Sequence, residues 1–354
     1  MEGWITCLLG DVLTFQRGHD LPKTKMIHGE YPVVGSNGVI GHHNEYTTEA
    51  PSITIGRSGN TGNPFIVYGR RWSHNTTLYV REFKDADPVF VYYLLKTLDL
   101  GSFAGGSAVP TLNRNHIHTL EVIVPPLSEQ QEIGRTLRAL DDKIANNTKI
   151  NNHLEQMAQA TFKSWFVDFE PFGDIMPDDW REGMLGDVAS ITSGKRPPLR
   201  QAVASTEADV PLIGASTIIG FTNAVLYDER ILITGRVGTH GVIQRYSRPC
   251  WASDNTLVIK SDYYEFVYQQ LCVVHFHNIN RGSTQPLITQ TDLKNVPIVL
   301  PDEAILREFE DLVGSLMERC EGNVRESERL AETRDALLPR LMSGELSVAD
   351  VGAK

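Results

Sequence analysis

Trp4-Ile5-Thr6-Cys7-Leu8-Leu9-Gly10-Asp11-Val12 returns as Trp180-Arg181-Glu182-Gly183-Met184-Leu185-Gly186-Asp187-Val188. The tryptophan and the Leu-Gly-Asp-Val run keep their spacing at an offset of 176 residues, and Gly18 returns as Gly194. Further on the offset is 179. Pro32, Gly35 and Gly41 align with Pro211, Gly214 and Gly220, and Gly56-Arg57-x-Gly59-x-x-Gly62 aligns with Gly235-Arg236-x-Gly238-x-x-Gly241. Trp72 and Thr77-Leu78 align with Trp251 and Thr256-Leu257. At 176 again, Gly106-Ser107-x-x-Pro110 meets Gly282-Ser283-x-x-Pro286, and Pro125 meets Pro301. Matches at two offsets, separated by one small net insertion, mark an internal duplication.

Each half has the same order of parts. Short β-type runs such as Ser52-Ile53-Thr54-Ile55, Phe65-Ile66-Val67-Tyr68 and Leu78-Tyr79-Val80 lie between Gly, Pro and Asn turns. A short helix is expected near 88–97 and 263–273, then one more strand, then one long helix. This predicts an α+β chain with a pseudo-twofold internal repeat. Two similar strand-rich domains, 1–127 and 171–302, are separated by an antiparallel pair of long coiled-coil helices, 128–170 and 303–346, with a tail at 347–354.

Ser128-Glu129-Gln130-Gln131 reads as a capping box for the first long helix, and Asp302 as the N-cap of the second. Steps of four and three from Ile133 pass through Leu137, Leu140, Ile144, Asn147, Asn151, Leu154, Ala158, Thr161 and Trp165. Adding 176 gives Phe309, Val313, Leu316, Cys320, Asn323, Ser327, Leu330, Arg334, Leu337 and Leu341. That is coiled-coil spacing, polar in the middle of both helices. The expected seam is Leu140, Ile144, Asn147 and Leu154 against Leu316, Cys320, Asn323 and Leu330. An antiparallel pair places Asn147 and Asn323 near one another, polar residues that set register. Roughly 38 residues at 1.5 Å each make a rod on the order of 55 Å, or on the order of 16 base pairs of duplex at most.

The formal net charge is −11, which argues at first against a nucleic-acid binder. The charge is unevenly placed. Residues 1–127 hold 10 Lys+Arg against 11 Asp+Glu, and 172–302 hold 11 against 14. The helical segments 128–171 and 303–354 hold 5 against 7 and 7 against 12. The heads are thus near neutral, with basic residues bunched in loops, and a near-neutral domain can still show DNA a basic face. No stretch approaches the roughly 20 apolar residues of a membrane span. The start, Met1 to Val12, lacks the basic opening of a secretory signal. Cys7, Cys250, Cys272 and Cys320 form no CxxC pair, so a reduced, cytoplasmic protein is expected.

Base readers need Arg, Lys, Asn and Gln at base edges, with backbone and hydroxyl donors for phosphate. The candidates in the first half are Lys23, Lys25, Arg57, Asn60, Asn63, Arg70, Arg71, Ser107, Asn113 and Arg114. In the second half they are Lys195, Arg196, Arg236, His240, Arg245, Arg248, Arg281, Ser283 and Gln285. Each group has an alternative reading as solvated surface or structural turn, and Trp72 and Trp251 read as core. The loops at Gly56 and Gly235 have neither Walker nor dinucleotide spacing. Asp87-Pro88-Val89-Phe90 reads as an N-cap with proline in the first turn, not as a methylase motif. His42-His43, His116-x-His118 and His275-x-His277 lack a third ligand at zinc spacing and read as surface or packing residues. Asp141-Asp142 reads as a solvated or partner-facing pair. No catalytic, cofactor-binding or metal-binding residue is expected.

The order head, long helix, head, long helix resembles the specificity subunits of type I restriction-modification enzymes. The likeness rests on Trp4…Leu9-Gly10-Asp11 and Trp180…Leu185-Gly186-Asp187. It rests also on Pro125-Pro126-Leu127-Ser128-Glu129-Gln130-Gln131-Glu132-Ile133 with Leu140-Asp141-Asp142-Lys143-Ile144. The endings Phe162-Lys163-Ser164-Trp165-Phe166-Val167-Asp168-Phe169 and Leu337 to Leu346 are similar too, whereas Pro301-Asp302-Glu303-Ala304-Ile305 departs from the family's glutamine-rich form. The resemblance implies two target-recognition domains, each reading half of a bipartite DNA site. It implies helices that dock two methyltransferase subunits, and a restriction-translocase subunit that joins them. S-adenosylmethionine and ATP with Mg²⁺ then belong to partners, and this chain is not an enzyme. The competing reading is a duplicated protein- or glycan-binding module.

Overall fold

The computed structural model describes residues 3–105, 110–237, 241–279 and 287–351. In the first repeat β1 (Ile5–Leu8) leads into one helical turn, α1 (Leu9–Val12). Then come β2 (Thr14–Arg17), β3 (Tyr31–Gly35), β4 (Gly38–His43), β5 (Ser52–Gly56), β6 (Pro64–Val67), β7 (Trp72–Ser73) and β8 (Thr77–Glu82). After α2 (Pro88–Thr97) follow β9 (Ala104–Gly105), β10 (Thr111–Leu112), α3 (Arg114–Ile117), β11 (Glu121–Val124) and the long α4 (Leu127–Phe166). The second repeat has β12 (Arg181–Met184), β13 (Ser190–Ser193), β14 (Val210–Ile213), β15 (Ile218–Thr222), β16 (Ile231–Gly235), β17 (Gln244–Tyr246), β18 (Trp251–Ala252) and β19 (Thr256–Lys260). It ends with α5 (Tyr264–Val273), α6 (Phe276–Ile279), α7 (Gln290–Lys294), β20 (Pro297–Leu300) and the long α8 (Glu303–Met342), and α9 (Val348–Val351) follows.

Three sheets of one repeat correspond strand for strand to three of the other, and the first repeat also has the ribbon β9-β10. The four-stranded sheets run β2-β8-β5-β6 and β13-β19-β16-β17, and the three-stranded ones β4-β3-β7 and β15-β14-β18. The ribbons β1-β11 and β12-β20 complete the pattern. Even the register shift between Val33 and Val34 returns between Leu212 and Ile213. The period of two along the central strands builds three layers. In the second repeat Leu232, Leu257 and Ile259 point into the core shared with the helices, while Ile231, Ile233 and Val258 meet Ile213, Cys250 and Ala252 of the other sheet. In the first repeat Ile53, Ile55, Leu78 and Val80 take the helix-facing role.

The chain divides into two compact units, Met1–Asn147 with Val324–Lys354, and Thr148–Asn323. Each unit therefore contains one head, one half of α4 and one half of α8. In the first unit Leu341 and Met342 from the end of α8 are buried in the head's core, beside Leu137. In the second, Phe162 and Phe166 from the end of α4 do the same beside Phe309.

Within each unit the long helices run antiparallel. Asp141 pairs with Arg334 and Lys143 with Glu326 (3.2 Å). Asn147 is buried, and its Nδ2 donates to Glu326 (2.8 Å) and Ser327 (3.2 Å). In the second unit Asn323 Nδ2 donates to Asn151 Oδ1 (2.8 Å), and Asn151 Nδ2 to the Cys320 carbonyl (3.2 Å). Asn147, Cys320 and Asn323 are buried, whereas Leu140, Ile144, Leu154, Leu316 and Leu330 are half-buried. Beyond the middle the buried positions drift by one, to Met317 rather than Leu316 and to Phe162 and Phe166 rather than Thr161 and Trp165. An α-helix turns 3.6 residues, not 3.5, so its buried stripe drifts once the partner surface is a head and not a second helix.

The helix termini differ from expectation in three places. Ser128 lies inside the first turn of α4 and forms no capping box; Gln130 is the buried anchor, with Nε2 on the Pro125 carbonyl and Oε1 on the Asp87 N–H. α4 stops at Phe166 and α8 at Met342, each four residues earlier than expected. Asp302 does cap α8, accepting from the Ile305 N–H (3.0 Å).

Candidate nucleic-acid interface

The same backbone strap recurs in both heads. After β5 the Arg57 N–H donates to the Thr76 carbonyl (2.8 Å), and the Arg57 carbonyl accepts from Leu112 (2.8 Å). After β16 the Arg236 N–H donates to Asn255 (2.8 Å), and the Arg236 carbonyl accepts from Ile288 (2.9 Å). A bridge follows at once, Ser58 with Thr111 and Val237 with Leu287. The glycines are required by this closeness. A Cβ on Gly56 would lie 1.6 Å from the Asn60 carbonyl oxygen, and Gly59 and Gly62 have φ of +84° and +82°.

A second shared device holds the exit of the first strand in each four-stranded sheet. A Cβ on Gly18 would sit 2.1 Å from the His74 carbonyl oxygen, and one on Gly194 2.1 Å from that of Ser253. The next residue is then pinned by a tryptophan. Trp72 Nε1 donates to the His19 carbonyl (3.3 Å) and Trp251 Nε1 to the Lys195 carbonyl (2.7 Å). Both indoles are half-buried pins of the backbone and not core residues as expected. In each head the strand exit, the glycine-rich loop, the following β-turn and the segment after the short helix are thus tied to one another.

The tip of the first glycine-rich loop carries Asn60 and Asn63, exposed and joined by a hydrogen bond of 2.5 Å. Arg57 and Arg236 are half-buried at the base of their loops. Asn113 follows the strap but spends its Oδ1 on the Asn115 N–H as the cap of α3, and Arg114 reaches back to the Phe15 carbonyl (3.4 Å). Lys23 and Lys25 are exposed on a 3₁₀ turn, and Lys195, Arg196 and Arg248 are exposed in the second head. Arg70 precedes β7, at the opposite end of that strand from the His74–Thr76 turn. It is exposed but paired with Glu49 (2.9 Å) and stacked over Tyr46. Ser107, His240, Arg281, Ser283 and Gln285 lie outside the described residues.

Two of the candidate arginines are turned away from DNA. Arg71 is fully buried. Arg245 makes two bonds of 2.6 and 2.7 Å to Glu265, which is itself fully buried, and its guanidinium lies over Tyr264 and Tyr268. Burial works against the Arg245 charge, but the Glu265 carboxylate outweighs it and holds the guanidinium above its usual range. Arg230 completes the group at 2.6 Å. The one clue in the sequence is Glu265, the single charge in the apolar run Tyr264-Glu265-Phe266-Val267. Asp141 is not a solvated residue either. It is half-buried and accepts from Tyr93 Oη (2.6 Å) besides Arg334, tying α4 to α2 and α8, whereas Asp142 is exposed and pairs with Arg138. Of the paired histidines, His43 and His118 are packing residues. Their rings bond to the Ile27 and Phe15 backbone.

Asp87 caps α2 as expected, accepting from Val89 and Phe90. Its counterpart Tyr263 cannot. There Glu310, on α8, accepts from the Glu265 (3.0 Å) and Phe266 (2.8 Å) N–H groups instead.

The model for the type I restriction modification DNA specificity domain matches residues 1–156 and 177–318, one copy per repeat. The chain belongs to that family. Among curated relatives, the specificity subunit of type I restriction enzyme MjaIX from Methanocaldococcus jannaschii is 28% identical over 74% of this chain and 70% of its own length. The HindI specificity subunit from Haemophilus influenzae is 23% identical over 67% of this chain and 71% of its own. The crystal structure of the type I restriction-modification S subunit from M. genitalium shares the fold, with a TM-score of 0.69 over 96% of both chains at 16% identity. Membership of the specificity-subunit family leaves the glycan- or protein-binding alternative without support. Among the described residues no helix is long and apolar enough to cross a membrane.

Proposed function

We propose that this chain is the non-catalytic reader of a type I restriction-modification complex, with each head recognising one half of a bipartite DNA site. One observation carries the reading. The two heads repeat the same strap, with Arg57 and Arg236 at its base, yet surround it with different side chains. A shared scaffold presenting different residues suits two different base sequences. The long helices dock two methyltransferase subunits, and a restriction-translocase subunit joins the assembly. S-adenosylmethionine and ATP with Mg²⁺ are bound by those partners, in the cytoplasm. An acidic chain needs such partners to supply more of the phosphate contacts.

The test is selection of bound duplexes from a random pool by the chain with its methyltransferase partner. The expected result is a split motif. Arg57→Ala should then degrade one half of the motif and Arg236→Ala the other, by roughly ten-fold for a lost arginine contact. Equal loss in both halves from either change would refute one head per half-site. Removing seven residues from each long helix should shift the preferred spacer, and an unchanged spacer refutes a spacing role for the helices.

A further inference from the structure

Arg71 is enclosed, and its Nε, Nη1 and Nη2 have no hydrogen-bond partner among the described residues. Its backbone is satisfied. The N–H donates to the Thr48 carbonyl, and the Arg71 carbonyl accepts from Thr47 and Thr48. Among the described residues no neighbouring charge acts on the guanidinium. Burial alone pulls its pKa down, to about 9, which leaves it protonated at neutral pH. A buried cation without a counter-charge is a severe cost, and folded proteins avoid it.

The second head shows what surrounds this position. Arg71 corresponds to Cys250, which packs with Ile213, Ile231, Ile233, Ala252 and Val258 between the two sheets. The first-head counterparts are Val34, Ser52, Thr54, Ser73 and Tyr79, all buried. Ser52 Oγ also lacks a partner, and Thr48 and Ser73 spend their hydroxyls on one another at 2.7 Å. The layer therefore holds five unused guanidinium donors and one free hydroxyl, Ser52 Oγ, which can donate or accept. A neutral water would leave the guanidinium charge uncompensated. An anion only accepts, and it cancels the charge. Because Arg71 has no exposed surface, neither a duplex phosphate nor a partner's side chain reaches it. We propose that the first head encloses a small monovalent anion of halide size, held by Arg71 between its two sheets, and that the second head has no such site.

Bromide is the probe. Crystals of the full chain grown or soaked in sodium bromide should show an anomalous peak at hydrogen-bonding distance from the Arg71 guanidinium, with none at Cys250. In solution the melting midpoint should rise by several degrees when gluconate is replaced by chloride at equal ionic strength. Arg71→Met should lose that increment, and Cys250→Ser should keep it. No bromide at Arg71, or refined waters in its place, overturns the proposal. So does a chloride increment that Arg71→Met retains. The diffraction result needs no variant, so it stands even if Arg71→Met folds poorly.

Discussion

Ser52, Thr54, Arg71 and Ser73 of the first head occupy the places that Ile231, Ile233, Cys250 and Ala252 fill in the second, on or next to corresponding strands. The α2 and α5 helices show the same contrast. One is capped from within by Asp87, the other by Glu310 reaching over from α8, where the first long helix has Gly134. The heads therefore share topology, glycine positions, tryptophan pins and backbone straps, while their buried polar chemistry was solved twice. Backbone devices are set by sterics and tolerate no substitute. An interior layer needs only to be filled and satisfied, which apolar side chains or a closed polar set can each do.

The second head's buried ion group offers the strongest way to break this comparison. Glu265→Ala leaves the half-buried Arg245 without its carboxylate and should cost about 3 kcal/mol. Its counterpart Val89→Ala should cost much less in urea unfolding of the full chain. Equal costs would mean that the ion group is ordinary packing. Next, Ile233→Thr gives the second head the side chain that the first head carries at Thr54. Lost apolar contact and a new hydroxyl without a partner should cost about 2–4 kcal/mol. A neutral result would show that the apolar layer already has room and partners for a polar group.

The Glu310 cap makes stability depend on pH. Burial lifts the Glu310 carboxyl from 4.5 to about 7, against the pull of two N–H donors. Between those values the folded chain holds the proton and the unfolded chain does not. This stabilisation is full below 4.5 and lost as pH rises through about 7. At about 1.36 kcal/mol per unit, the swing is at most roughly 3 kcal/mol. Glu310→Gln should flatten that part of a melting-midpoint profile, and a slope that survives assigns it elsewhere. The smallest effect concerns what the heads share. Trp72→Phe and Trp251→Phe each remove one indole hydrogen bond and should each cost about 1 kcal/mol. A large inequality would show that only one indole acts as a pin.

Much of the scaffold was legible because it rests on residues with steric necessity. Gly18, Gly56 and Gly62, and Trp72 with its partner Trp251, recur at fixed offsets because a loop closes on each of them. The antiparallel pairing of the helices was legible in the spacing of Asn147 and Asn323. The candidate site was less so. Arg71 and Arg245 read like Arg70 and Arg248, since a basic residue beside a turn looks the same whether its side chain points to solvent or inward. Asp141 looked solvated from its own helix because Tyr93 and Arg334, 48 and 193 residues away along the chain, are invisible to local periodicity.

By itself the sequence determined the duplication, the order of strands and helices, and the direction of helix pairing, because period and steric exception are local properties of a chain. Only the tertiary structure decided which charges are buried, who caps whom, and that each head is completed by the far end of a long helix. Those outcomes depend on groups distant in sequence arriving at one place, where desolvation makes an absent partner costly and a present one indispensable.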